Sequence, residues 1–425
     1  MINMTLEKIL ELATSKKQEL FELLSSLIKI KSENFDTYGE EEEVAKYIYE
    51  ICKETGLESD IYSPLSIDGF TDHPDYWPGP KGKALENRYN VTGRWIGKEN
   101  ADSLHIMAHT DTVPAGDVAN WDDDPFSGAI RDGKIIGRGA GDDKYGVAAF
   151  LFAIKILKEA GFEPKKNLVV TAFVDEERGG SHGALAGVLK YPCPHVICLD
   201  CAEDQIWHCG SGGGEGTFTF HTNNTVDSAY KAASALPIVI EEIEKFAEAR
   251  KKELAANRFY RGTIIPDTAL RYMDVHAGDH TKDLGVGKVS IVYYTDKTRE
   301  EIQKEFEELG ERITARLTPL DITYDGYSQD TRFFHYGYCE PDCEDIKKLL
   351  DASELATGSK PLVCGSCLSD LSVISQNTKG TAFAFGAGRD FSLPGGAHQP
   401  NEFIECDKFL DFTKTIIAYI IKMLG

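Results

Sequence analysis

"LHIMAHTDTVPAG", residues 104–116, sets an apolar run, Leu104 to Ala108, directly against three polar side chains, His109, Thr110 and Asp111. A short apolar run bounded in this way reads as a buried strand. In open α/β folds the chemistry sits outside the carboxyl ends of the strands, so the trio is either a turn or the first piece of a site. The runs around it decide the fold. "YNVTGRWIG" (89–97), "NLVVTAFV" (167–174) and "HVICLD" (195–200) read as further buried strands, and "KYGVAAFLFAIKILKEAG" (144–161) and "HGALAGVLKY" (182–191) as the helices between them. That alternation predicts a three-layer α/β domain, a mostly parallel sheet with helices on both faces. Ahead of it, helical spacing covers residues 5–30 and 40–55, and a Pro- and Gly-rich stretch at 66–90, with Tyr76 and Trp77, reads as a loop, either solvent-exposed or rimming a pocket.

At "CGSGGGEG" (209–216) the pattern changes. A strand "TFTFH", a long helix from Asp227 to Lys252, strands at "TALRYMDV" and "KVSIVYYT", a helix from Thr298 to Leu317 and a strand "DITYDGY" follow. Strand, helix, two strands, helix, strand is the order of a ferredoxin-like α+β unit, so residues 215–335 are expected to be an inserted domain. The first domain, 1–214, then resumes over 336–425 with "PLVCGS", "GTAFAFGAG" and a closing helix. The glycine runs at 137–146 and 211–216 lack the spacing of a dinucleotide loop and the Lys-Ser/Thr ending of a P-loop, and read as turns or a hinge.

A chain of 425 residues exceeds what one core usually serves, in keeping with two domains. The formal charge of −23 and pI near 4.9 exclude a phosphate backbone or an anionic membrane as partner. The N-terminal 30 residues interleave charges with apolar positions, unlike a signal peptide, and no apolar run of ~18 residues predicts a membrane span. Ten cysteines are too sparse for a disulfide scaffold, and a reducing cytoplasm is the expected location. The CxxC pairs Cys198/Cys201 and Cys364/Cys367 are read as thiols rather than a zinc ribbon.

Metal-type ligands end a strand or open a helix at four places: His109 and Asp111; Asp142; Glu176 and Glu177; and Asp200. His398 follows in the loop "GGAHQPNE" (395–402). Each has an ordinary reading as a polar strand end, a solvated turn or a helix N-cap. A parallel sheet, however, would bring all the strand ends to one edge. Two histidines with several carboxylates suit zinc, and also cobalt or manganese. Two such ions ~3.5–4 Å apart need a bridging carboxylate, for which Asp142 is the candidate, and a carboxylate off the metals to take a proton from water.

"HTD" (109–111), "GRGAGDDKYG" (137–146), "DEERGG" (175–180) and "GGAHQPNE", in this order, resemble the dinuclear zinc exopeptidase and deacylase family of aminoacylase, acetylornithine deacetylase, succinyl-diaminopimelate desuccinylase and carboxypeptidase G. The resemblance covers nearly the whole chain and is weakest over 215–335. It implies a catalytic domain with an inserted lid and dimerisation domain, and a homodimer formed through it. It implies that His109, Asp142 and Asp200 bind one ion, that Asp142, Glu177 and His398 bind the other, that Asp111 hydrogen-bonds the far nitrogen of His109, and that Glu176 is the general base. The function implied is cleavage of an amide bond in a small substrate, an N-acyl amino acid or short peptide, by water activated between two divalent ions. A dipeptidase, or a catalytically silent metal-binding protein on the same fold, is the alternative. A lid histidine that steadies the oxyanion is also a family feature; His221 is the positional candidate, with His276 and His280 as rivals. Here Tyr145 separates Lys144 from Gly146, where relatives have the glycine directly.

Overall fold

The computed structural model describes residues 4–79, 81–222, 226–260, 266–279 and 284–425. Their contacts divide into two units. The first comprises the residues through His208, Tyr338–Cys364 and Val373–Gly425, and the second Cys209–Gly337 with Gly365–Ser372.

In the first unit the strands Asn167–Phe173, Asp102–His109, His195–Glu203 and Thr381–Gly386 lie side by side in that order, all parallel. Antiparallel strands flank this centre: Asn90–Trp95 and Glu58–Tyr62 on one side, Gln205–Gly210 on the other. Every residue of Asn167–Phe173 is buried, as a strand covered on both faces requires. Neighbouring strand residues point to opposite faces. A methyl group at Gly146 would stand 2.9 Å from the Cβ atoms of Ala108 and Leu199, whereas one at Gly187 would stand 2.8 Å from the end of Met107. The helices Lys144–Glu159 and His182–Lys190 therefore cover opposite faces, giving the expected three layers. The 5–30 segment is two helices, Leu6–Ser15 and Lys17–Lys29, because Lys16 leaves helical geometry at φ −105°, ψ 14°.

Register decides what meets at the sheet edge. His109 is level with Phe173, and Met107 with Cys198. Two residues past Phe173 and Cys198 stand Asp175, just beyond the end of its strand, and Asp200, within a strand that runs on to Glu203. Among the described residues no helix is long and apolar enough to cross a membrane.

The second unit is a four-stranded antiparallel sheet in the order Leu270–Asp279, Leu284–Thr295, Gly212–Thr222, Ile322–Gln329, with the helices Ser228–Ala256 and Arg299–Leu317. This is the ferredoxin-like arrangement. Phe218, Val239, Phe246, Ile291 and Phe306 lie in its core. The turn-or-hinge reading of the glycine run at 211–216 is corrected: Gly212, Gly213, Gly214 and Gly216 are part of a central strand, paired with Thr295 through Ile291. Glycine is demanded there by proximity, since a Cβ on Gly216 would lie 2.1 Å from the Tyr327 hydroxyl.

Candidate metal centre

His109 ends its strand fully buried. Its Nε2 lies 2.9 Å from Asp142 Oδ1. The other carboxylate oxygen of Asp142, Oδ2, lies 3.2 Å from Nε2 of His398, which also lies 2.8 Å from Glu177 Oε2. Asp142 thus stands between two imidazoles, one oxygen to each. One ligand atom from each of His109, Asp142 and Glu177 falls within 4.8 Å of the others. The helix Lys144–Glu159 starts beyond this point with Asp143 as N-cap, and neither aspartate makes the side-chain cap that the ordinary reading of "DD" supposes.

The turn that presents the paired glutamates is built around Asp111. Its Oδ1 accepts the Glu176 N–H at 3.2 Å and its Oδ2 the Glu177 N–H at 3.0 Å. Asn34 donates to the same carboxylate at 2.7 Å and to Asp175 at 3.1 Å. Asp175 takes a left-handed φ of 68°, which breaks the strand and lets consecutive glutamates leave it together. The Glu177 carboxylate is pinned by the Val113 N–H at 3.0 Å, and Glu176 is partly buried. Asp111 also faces His109: the Nδ1 atom of His109 lies 2.9 Å from the Asp111 backbone carbonyl and 3.6 Å from its carboxylate.

Asp175 is itself held by Arg88 at 2.9 Å and by ion pairs with Lys83 and His182, while Arg88 also binds Glu41, all of these groups being buried. Arg88 and Lys83 belong to the 66–90 stretch. Most of that stretch is exposed or partly exposed, as a loop, but it is anchored inward: Phe70, Leu85 and Arg88 are buried, and the Tyr76 ring lies 5.1 Å from that of His182. A second tie is Glu402, which accepts from Arg138 at 2.6 Å and from the Gly141 N–H at 2.7 Å, while Arg138 donates to the His398 carbonyl at 3.3 Å. It joins the loops that carry Asp142 and His398.

Asp200 lies in the strand His195–Glu203, partly buried. The flanking carbonyls of Leu199 and Cys201 lie 2.7 and 3.1 Å from the buried Tyr145 hydroxyl, which accepts the Ala387 N–H at 3.2 Å. Tyr145, noted in the sequence only as an interruption, is a strut beneath Asp200. Arg138, Glu402 and Tyr145 all stand inside or beside the quoted motifs; a long polar side chain within a glycine run was the signal available for them. Arg88 and Asn34 carried none.

The field at the centre demands positive charge. Burial disfavours a proton on His109, but Asp111 and Asp142 outweigh it and hold the imidazole well above its ordinary value. Glu177, and then Asp142, push His398 up to about 12; its ring stays 43% exposed, so water screens part of that attraction. Burial alone would raise Asp142, yet the two imidazoles bring it below the usual carboxylate range. Buried nitrogen and oxygen donors with this charge balance fit a divalent cation of the zinc, cobalt or manganese type.

His221 lies on the strand Gly212–Thr222 of the second unit, with Nδ1 2.7 Å from Asp325. His276 is exposed on Leu270–Asp279, and His280 lies outside the described residues. The cysteines are thiols; Cys198 and Cys201 are buried, and the sulfur of Cys364 lies 3.4 Å from Gln205 Oε1.

Fold and donor set together define a metallohydrolase. The chain belongs to the peptidase family M20/M25/M40, whose sequence profile matches residues 105–422. It is 25% identical over 397 residues to the N-formyl-4-amino-5-aminomethyl-2-methylpyrimidine deformylase of Bacillus subtilis (strain 168), covering 86% of this chain and 88% of that one. It is 37% identical over 123 residues to the succinyl-diaminopimelate desuccinylase of Rhodospirillum centenum, covering 29% of this chain and 31% of that one. The fold is similar to that of the di-peptidase Dug1p from Saccharomyces cerevisiae, with a TM-score of 0.71 at 16% identity over 98% of both chains.

Proposed function

We propose that this metallohydrolase removes an acyl group from a small N-acyl compound, an N-acyl amino acid or a related amide, at a centre of two divalent ions. One observation carries the reading: the two oxygens of Asp142 face His109 and His398 separately, as a carboxylate shared between two cations must. His109, Asp142 and Asp200 would hold one ion, and Asp142, Glu177 and His398 the other. Bound there, such ions supply Lewis acidity that lowers the pKa of water and polarises a carbonyl. Glu176 takes the proton of the attacking water and returns it to the leaving nitrogen. Asp111 holds Glu176 and Glu177 in register through their backbones. Acyl removal is favoured over dipeptide cleavage because the deformylase matches along nearly its whole length, whereas the likeness to a dipeptidase is one of fold.

The test is a hydrolysis panel of N-acyl amino acids, formyl amides and dipeptides with added zinc, cobalt or manganese, run beside Glu176→Gln. The expected outcome is acyl-amide turnover that falls about 10²- to 10⁴-fold in Glu176→Gln with metal content unchanged. Full turnover in that variant would refute the base, and turnover of dipeptides alone would refute the acyl preference.

A further inference from the structure

The Asp175 carboxylate, one residue ahead of Glu176, meets four side chains. Its Oδ1 faces Nη1 of Arg88 at 2.9 Å, Nδ2 of Asn34 at 3.1 Å and the Lys83 ammonium, while Oδ2 faces Nδ1 of His182. All four side chains are buried. The turn that follows closes over the same carboxylate: the Ser181 N–H donates to the Asp175 carbonyl at 2.8 Å, and a Cβ on Gly180 would overlap Oδ2. Among these contacts Asp175 keeps its left-handed φ of 68°, a conformation that persists in a non-glycine residue where the surroundings over-determine it.

Two of the four side chains come from the stretch 66–90. Lys81, Gly82 and Ala84 are exposed and Lys83 is partly exposed, yet the Lys83 side chain is only 4% exposed and ends on Asp175. An ammonium is costly to bury unless an anion is there to pair with it. Arg88 donates through Nε to Glu41 at 3.0 Å while its Nη1 reaches Asp175. The same stretch sets the rings of Phe70 and Tyr76 at 6.1 and 5.1 Å from that of His182. It is fixed in turn by the Asn377 amide, which donates to Asp75 at 2.9 Å, and by the Ala84 N–H, which donates to the Thr37 carbonyl at 2.8 Å. One segment thus places three of the four groups around Asp175.

The two glutamates beyond Asp175 are not held alike. Glu177 has its carboxylate pinned by the Val113 N–H as well as its backbone bonded to Asp111. Glu176 follows Asp175 directly, and its backbone bond to Asp111 is the longer of the pair. A shift of Asp175 therefore reaches Glu176 first.

We propose that Lys83 and Arg88 are positioning residues for the general base: the stretch 66–90 is a brace that holds Asp175 in its left-handed turn and so sets the direction in which Glu176 leaves the strand. The inference rests on the reading of Glu176 as the base. Proton transfer depends on reach, and a misplacement of about 1 Å costs about 10²-fold in rate.

Lys83→Met keeps the length and apolar stem of the side chain and removes its charge, whereas Lys83→Arg retains the charge. Both are assayed on the substrate best turned over in the hydrolysis panel, and Lys83→Met also in combination with Glu176→Gln. The expected result is a kcat about 10- to 100-fold lower in Lys83→Met, with KM and bound metal unchanged, and most of the rate retained in Lys83→Arg. In the Glu176→Gln background Lys83→Met costs little further, because the group it positions is gone. Urea denaturation of each variant separates lost positioning from lost folding, and Lys83→Gln is read in the same way if Lys83→Met does not fold. Unchanged kcat in the folded variant overturns the proposal, as does a loss of rate that follows a loss of metal. An equal loss in both backgrounds also overturns it, while leaving Glu176 as the base. Full turnover in Glu176→Gln alone would show that the base is misassigned, and the positioning role falls with it.

Discussion

The Asp111 carboxylate accepts the backbone N–H of Glu177 at 3.0 Å, with Glu176 bound alongside at 3.2 Å. One buried anion thus fixes the two glutamates with opposite duties in the proposed reaction. Asp111→Asn keeps the shape but replaces one acceptor oxygen by an NH₂ that faces either a backbone N–H or the Asn34 amide. Loss of such an outer-shell partner costs about 10- to 100-fold in metal affinity or activity. The expected result is weaker metal retention on dialysis together with reduced turnover at saturating metal. A variant that matches the wild type in both would show that the turn holds itself.

Metal uptake is expected to release protons. Without metal, both His109 and His398 are held above their ordinary values by Asp142 and its neighbours, so both imidazoles carry protons at pH 7. A cation requires the neutral rings. Loading the full centre at pH 7 then releases about two protons, and apparent affinity rises with pH by up to about 100-fold per unit while both rings stay protonated in the apo state. Calorimetric titration in two buffers of different ionisation enthalpy measures the count. A value near zero would mean that the imidazoles are already neutral or are not the ligands.

Much of the fold was legible because the strands are short apolar runs with helices of regular period between them; the ferredoxin-like unit followed from element order alone. The candidate ligands stood out for a related reason: His109 ends a strand, Glu177 follows one and Asp142 stands just ahead of a helix, whereas Asp200 lies inside its strand. What stayed hidden was long-range partnering. Arg88 and Asp175 are far apart in the chain, and nothing in "LENRYN" indicates that the arginine is buried against a carboxylate beside Glu176. Asp111 faces the histidine two residues before it, but its carboxylate also holds the Glu176 and Glu177 backbone amides, which sequence spacing does not reveal. The glycine run at 211–216 looked like a turn because single-chain reading cannot see Tyr327 lying across it.

Tyr145 supplies the last test, because its role separates position from chemistry. Its hydroxyl reaches the Leu199 and Cys201 carbonyls on either side of Asp200 and accepts the Ala387 N–H, tying two neighbouring parallel strands to the helix that follows Asp142. Tyr145→Phe leaves the ring packed against Phe412 but takes the hydroxyl from the Leu199 carbonyl and the Ala387 N–H, while the Cys201 carbonyl keeps the Gly388 N–H at 3.0 Å. An unsatisfied buried partner costs about 1–3 kcal/mol, so a stability loss of that order is expected in urea denaturation. If the strut also sets Asp200, the variant loses the more weakly held of two metal equivalents and part of its turnover, while substrate KM changes little. The stability loss alone, with both equivalents retained at wild-type affinity, would confine Tyr145 to the core; loss of both ions together would mean that Asp200 and Glu177 do not hold separate sites.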